Sequence, residues 1–172
     1  SSSNALIDAL NYIRLGHCDV IVSGGSEAAV TIAGMGGFNA MHALSTRNES
    51  PESASRPFDA NRDGFVLGEG AGALILEEYE HALARGVHIY CEVVGGGMTS
   101  DAYHMTAPHP EGIGVVRVMQ NCLKDAGMTP DQVDTINTHG TSTPLGDVAE
   151  LKAISKVFGI YAPLITINST KS

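Results

Sequence analysis

A chain of 172 residues with 43% hydrophobic and 17% charged positions can bury a core and is too apolar to remain disordered. Its formal net charge of -9, from 19 acidic against 10 basic residues, speaks against a nucleic-acid surface, which needs clustered Lys and Arg. No apolar run approaches the roughly 20 residues that span a bilayer and no charged-then-apolar leader opens the residues given, so a cytoplasmic setting is expected.

Ala5, Leu6, Ala9, Leu10 and Ile13 recur at helical spacing ahead of Gly16, which predicts a helix over 2–15. Cys18-Asp-Val-Ile-Val-Ser-Gly-Gly25 reads as a short buried parallel strand running into a glycine turn. The Gly-rich stretch from Ala33 to Gly37 leads into a polar, irregular region through about Asn61, where Pro51 and Pro57 bar continuous helix or central strand. Gly70–Glu77 is the next predicted strand, Tyr79–Arg85 a short helix ended by Gly86, and Ile89–Gly95 another strand. A loop then carries Asp101, His104 and His109. A helix follows over about 112–126, with Val115, Val116, Met119, Leu123 and Ala126 as its stripe and Gly127 as its cap. Strand 133–137, helix 145–158 and strand 164–168 complete a β-α-β-α-β order in the second half, an α/β pattern.

Chemistry concentrates in Asn137-Thr-His-Gly-Thr-Ser-Thr-Pro-Leu-Gly-Asp147, followed by Glu150 and by Asn168-Ser-Thr-Lys-Ser172. The run Val133–Asn137 delivers His139 to the C-terminal end of a strand, where open α/β folds keep their ligands. A His among hydroxyls and glycines can carry a proton or donate a hydrogen bond to a developing oxyanion. Cys18, Cys91 and Cys122 lie far apart in apolar or small-residue settings typical of buried thiols, so neither zinc nor a disulfide framework is indicated. Asp59-Ala-Asn-Arg-Asp-Gly64 opens like a calcium loop, but its closing acid falls one residue early, at Glu69, and no helix pair flanks it. Asp59, Arg62 and Asp63 are expected instead to form a charge network under the site. Gly68-Glu-Gly-Ala-Gly72 lacks the strand, loop and helix order of a dinucleotide or phosphate site, and no cofactor or metal is expected.

The block His-Gly-Thr-Ser-Thr-x-x-Gly-Asp-x-x-Glu, then Ser-Thr-Lys-Ser, resembles the type II β-ketoacyl-acyl carrier protein synthases, the elongating condensing enzymes. Ala43–Asn48, Arg56–Gly70 and Met98–Thr106 agree with that family in order and spacing. The resemblance implies the thiolase-like fold, layered α-β-α-β-α in the full enzyme, of which this chain would be an internal piece. Residues 1–87 would close the first half and 88–172 open the second. It further implies decarboxylative condensation of an acyl-enzyme with malonyl-carrier protein in fatty acid elongation, and a homodimer. The family's nucleophilic Cys would lie just ahead of Ser1, at a helix N-terminus that lowers its pKa, and a second His just beyond Ser172. A non-catalytic chain-length partner subunit of a polyketide-type synthase is one alternative, which His139 and Lys171 argue against; the other is a fragment inactive when isolated, expected because the nucleophilic Cys and second His are absent from the residues given.

By the same resemblance His139 stabilises the thioester enolate or activates a water on the malonyl carboxylate. Lys171 sets the electrostatics, Glu150 pairs with Lys171, and Asp147 holds the turn after His139 through backbone hydrogen bonds. Thr141 and Thr143 would bind the pantetheine arm, and Asp101, His104 and Thr106 would line the substrate entrance. Arg47, Arg56, Arg62 and Lys124 are candidates for docking an acidic carrier. Relatives often carry an Arg where this chain has His42.

Overall fold

A computed structural model describes residues 2–172. Helix α1, Ser2–Arg14, places Ala9 and Leu10 against Leu76, with Leu6, Ile13 and Ile21 packed around them. Leu76 belongs to strand β2, Gly70–Glu77, which pairs with β1, Val20–Glu27, from Val20↔Glu77 to Glu27↔Gly70.

This pair is antiparallel, which corrects the expectation of a parallel β1. The connection leaves β1 and enters β2 at the same end of the ladder, where Val30 N–H donates to Glu69 Oε1 at 2.9 Å, so no crossover intervenes. Nor is β1 fully buried. Helix α1 covers one face only, and Val22 and Ile75 remain 71% and 70% exposed.

Within the connection lies helix α2, Ile32–Ala40, where a glycine-rich irregular lead-in was expected. Its Gly34, Gly36 and Gly37 each cost roughly 1 kcal/mol against Ala, but Thr31 offsets part of this by capping Gly34 N–H at 3.1 Å. None of its residues is buried. Residues 41–69 are irregular apart from a turn at Pro51–Ser53 and a bridge between Leu44 and Phe65.

Helix α3, Tyr79–Arg85, is capped by Glu78 and ended by Gly86, and its His81 and Arg85 hold Glu77 at the end of β2. The run 89–95, expected as a strand, has no regular secondary structure and joins no ladder among the described residues. Alternating apolar residues favour extended backbone, yet a strand also needs a neighbour to take its hydrogen bonds. Arg14 anchors this run to both flanking helices, reaching Asp125 at 2.9 Å and Val94 O at 2.7 Å, while Asp125 accepts Gly96 N–H at 2.9 Å.

Helix α4, Ile113–Ala126, and helix α5, Pro144–Phe158, cover the parallel pair β3, Thr135–Asn137, and β4, Thr166–Asn168. Ile154, Phe158 and Ile165 form the core there, with Met119, Leu123, Val133 and Ile136 around them. Each such side chain contributes about 1.5–3 kcal/mol when fully buried. The two helices touch backbone to side chain. A Cβ on Gly112 would lie 2.6 Å from Ala149 O, and Ala153 beside it is fully buried.

The thiols correct another expectation. Cys91 is exposed, and Cys18 and Cys122 are only half-buried.

Candidate active site

Because β3 and β4 are parallel and pair Asn137↔Asn168, both motif segments leave the sheet at one edge, side by side. Their loops are then sewn together. Thr138 donates to Asn168 O through its N–H at 2.8 Å and its Oγ1 at 2.7 Å, and Ser169 Oγ donates to Gly140 O at 2.9 Å. Gly140, at φ +41°, permits the contact, since a Cβ there would fall 2.6 Å from Ser169 Cβ.

Helix α5 fixes the same turn from its other side. Glu150 accepts His139 N–H at 2.7 Å and Gly140 N–H at 2.9 Å, one on each carboxylate oxygen. Three residues earlier, on the same face of the helix, Asp147 is 1% exposed, accepts Phe58 N–H at 2.7 Å and forms an ion pair with Arg62, whose Nε lies 3.2 Å from its Oδ2. The Arg62 guanidinium also donates to Thr143 O at 3.1 Å, Pro144 O at 2.8 Å and Asp59 O at 2.7 Å. Ser142, fully buried at φ +66°, accepts Arg56 N–H on Oγ and Gly64 N–H on its carbonyl, each at 3.1 Å. Segment 55–64 therefore braces the turn that carries His139, and Ser55 donates to Lys171 O within the same contact.

A cavity of about 1180 Å³ opens here. His139, Glu150, Lys171, Thr141 and Thr143 line it from the turns after β3 and β4 and from α5, and Asp101, His104 and Thr106 line it from the loop 101–109. Of the nine residues given catalytic or substrate-binding roles in the sequence, Asp147 alone is not among the cavity's lining residues.

Water reaches His139 through the cavity, yet the surrounding protein withdraws enough hydration to lower its pKa from the ordinary 6.5. The Lys171 ammonium acts in the same direction, and Glu150 and Asp147 oppose it. At neutral pH the ring is therefore uncharged and keeps one N–H to donate. In the loop 101–109, Asp101 accepts His109 N–H at 3.0 Å and Tyr103 N–H at 3.2 Å, which hold its pKa below the usual carboxylate value. His104 Nδ1 takes the N–H groups of Thr106 and Ala107, both at 3.1 Å.

Two expected pairings differ. Glu150 makes no ion pair with Lys171 among the described residues, because both its oxygens face backbone N–H groups. Asp147 receives the backbone of Phe58, not that of its own turn. Thr141 and Thr143 do meet, with their hydroxyls 3.0 Å apart.

Two family models, described as Beta-ketoacyl synthase, N-terminal domain and C-terminal domain, match residues 1–82 and 90–172. The chain belongs to the β-ketoacyl synthase family. It is 54% identical over 165 residues to 3-oxoacyl-acyl-carrier-protein synthase 2 of Vibrio cholerae, a match covering 95% of this chain and 40% of that protein. The enzyme of the same name from Synechocystis is 52% identical over 172 residues, covering all of this chain and 41% of its own length. Among solved structures, a type II polyketide synthase complex of an acyl-carrier protein with its ketosynthase bound to the hexaketide matches with TM-score 0.96. The identity is 44%, and the match covers 99% of this chain and 42% of that one. The chain spans about 40% of the length of the curated relatives it matches.

The thiolase-like fold expected from the motifs is the fold of this β-ketoacyl synthase chain. Sequence reasoning missed the apolar part of the cavity wall, Phe38 and Met41 at the end of α2 and Phe65 across from them. Phe38 and Phe65 stack edge to face with centroids 5.1 Å apart. The Gly-Gly-Phe sequence inside a capped helix was the available signal. The carrier-docking candidates Arg56 and Arg62 are turned inward, Arg56 onto Ser53 O at 2.7 Å and Arg62 onto α5. No described helix is long and apolar enough to cross a membrane.

Proposed function

We propose that this chain is part of a 3-oxoacyl-acyl-carrier-protein synthase that condenses an acyl-enzyme with malonyl-carrier protein to lengthen a fatty acid by two carbons. The observation that carries the reading is His139, held by its own backbone N–H on Glu150 and presented with Lys171 to a cavity large enough for a pantetheine arm, where burial lowers its pKa and favours the uncharged ring. As the malonyl carboxylate departs as carbon dioxide, the electrons of the broken carbon–carbon bond move into the thioester. His139 then donates its N–H to the developing enolate oxygen. The enolate carbon attacks the acyl thioester, and the thiolate that carried the acyl group leaves.

In this reading Lys171 keeps His139 neutral, Glu150 fixes the backbone that presents the ring, and Asp147 fixes α5. Thr141 and Thr143 hydrogen-bond the pantetheine arm, whose amides suit paired hydroxyls, and Asp101, His104 and Thr106 shape the opposite side of the entrance. The carrier protein docks at that mouth. Residues 1–87 and 88–172 belong to the two thiolase-like halves, and the working assembly is a cytoplasmic homodimer. The exposed apolar face of Val22 and Ile75 supports a covering partner surface or further chain.

The test is a condensation assay on the protein expressed with its native flanking sequence, using acyl-carrier and labelled malonyl-carrier protein. Labelled 3-oxoacyl product is expected. Binding of the carriers without release of carbon dioxide or product would replace this reading with the non-catalytic chain-length partner.

A further inference from the structure

We propose that Arg62 is a positioning residue for His139, acting through the first turn of helix α5. This rests on the condensing function proposed above. Arg62 approaches three successive features of the α5 entry, namely Thr143 O, Pro144 O and the Asp147 carboxylate, with Asp59 O as its fourth partner. Its side chain is 12% exposed and that of Asp147 1%, so the pair is largely withdrawn from water and its geometry is not loosened by solvent. A planar guanidinium serves several acceptors in fixed directions, which an ammonium does not.

Asp147 and Glu150 lie on one face of α5, three residues apart, and α5 is rigid between them. A shift of the helix end at Asp147 is therefore carried to Glu150. Glu150 in turn holds the N–H groups of His139 and Gly140, so the imidazole moves with it. Displacement of a reacting group by about 1 Å costs on the order of 10²-fold in rate. Substrate affinity depends on the cavity wall as a whole and changes less.

The experiment compares R62M, R62K and the double variant R62M/D147N with wild type, in the protein with its native flanks. Each is measured for thermal unfolding and for kcat and KM of malonyl-carrier decarboxylation. R62M is expected to lose stability and at least about tenfold in kcat, with KM within about twofold. The double variant removes the buried charge left behind and should recover the unfolding midpoint while kcat stays low. R62K should recover part of kcat. Wild-type kcat in R62M, or in the double variant once its midpoint is restored, would overturn the proposal and leave Arg62 a stabilising residue alone. Absence of decarboxylation in wild type itself would instead sink the function on which the proposal rests.

Discussion

The two walls of the cavity are built differently. The wall carrying His139 is held by bonds between distant parts of the chain, from β4, from α5 and from segment 55–64. The other lining segment, 101–109, is held mainly by its own side chains on its own backbone, as Asp101 takes Tyr103 and His109 and His104 takes Thr106 and Ala107. Met105 and Tyr103 there are 93% and 53% exposed. A wall fixed from elsewhere can keep a reacting group in place, whereas a self-contained loop can move as a unit without disturbing the core.

Substitutions should separate the two walls. His139→Ala should lower kcat for malonyl decarboxylation by about 10²–10³, the loss typical of one oxyanion donor. Unchanged turnover would remove His139 from the chemistry. Glu150→Ala keeps the imidazole but frees the backbone that positions it, and a kcat loss of about 10–10² is expected with little change in KM. An effect on KM alone would mean that the distant bonds do not position the ring.

Charge changes on the same wall have a definite sign. In the proposed mechanism neutral His139 is the active form, so activity should fall at acid pH as the ring protonates, below the ordinary 6.5. Lys171→Met removes a cation that lowers this pKa, and the acid limb should move to higher pH. Glu150→Gln removes an anion that raises it, and the limb should move to lower pH. Shifts in one common direction, measured by ring titration or pH–rate profiles, would show that these charges do not act on His139. On the other wall, Asp101→Asn should change KM by about twofold to fivefold and leave kcat nearly constant.

The smallest effect lies outside the cavity. Hydrogen bonds from Arg85 and His81 lower the pKa of Glu77 from 4.5 to about 2. A carboxylate with a depressed folded pKa adds stability above about 4.5 that is lost as pH falls toward about 2. Glu77→Gln should therefore flatten the fall of the unfolding midpoint across that window while leaving decarboxylation unaltered. A slope equal to that of wild type would show that the Arg85 and His81 contacts add nothing.

How much of this was legible depended on how local each feature is. The turn from Asn137 to Asp147 is contiguous, so its glycine, hydroxyls and His could be read together, and Glu150 and Lys171 fell close by in the motif order. The partner of Glu150 could not be read that way. A carboxylate near a Lys looks like half of an ion pair until the turn is folded and two backbone N–H groups are found pointing at it. The bond from Arg62 to Thr143 O spans 81 positions, and no periodicity signals it. The antiparallel sense of β1 was hidden for a similar reason, since the apolar run Val20–Val22 fits either direction and the return path through α2 decides it. The run 89–95 shows the opposite error, where an apolar local pattern suggested a strand but no neighbouring strand is paired with it.

Ser142 adds a consequence for how the site comes into being. A left-handed backbone at a non-glycine residue costs roughly 1–2 kcal/mol, and here the opposing contacts come from Arg56 and Gly64, far upstream. Glycine at this position would ease the backbone but abandon the hydroxyl that receives Arg56. The shape of the turn is thus not encoded in the motif peptide by itself. A polypeptide beginning after Gly64 would carry every letter of the His-Gly-Thr-Ser-Thr block and still leave its backbone free to relax.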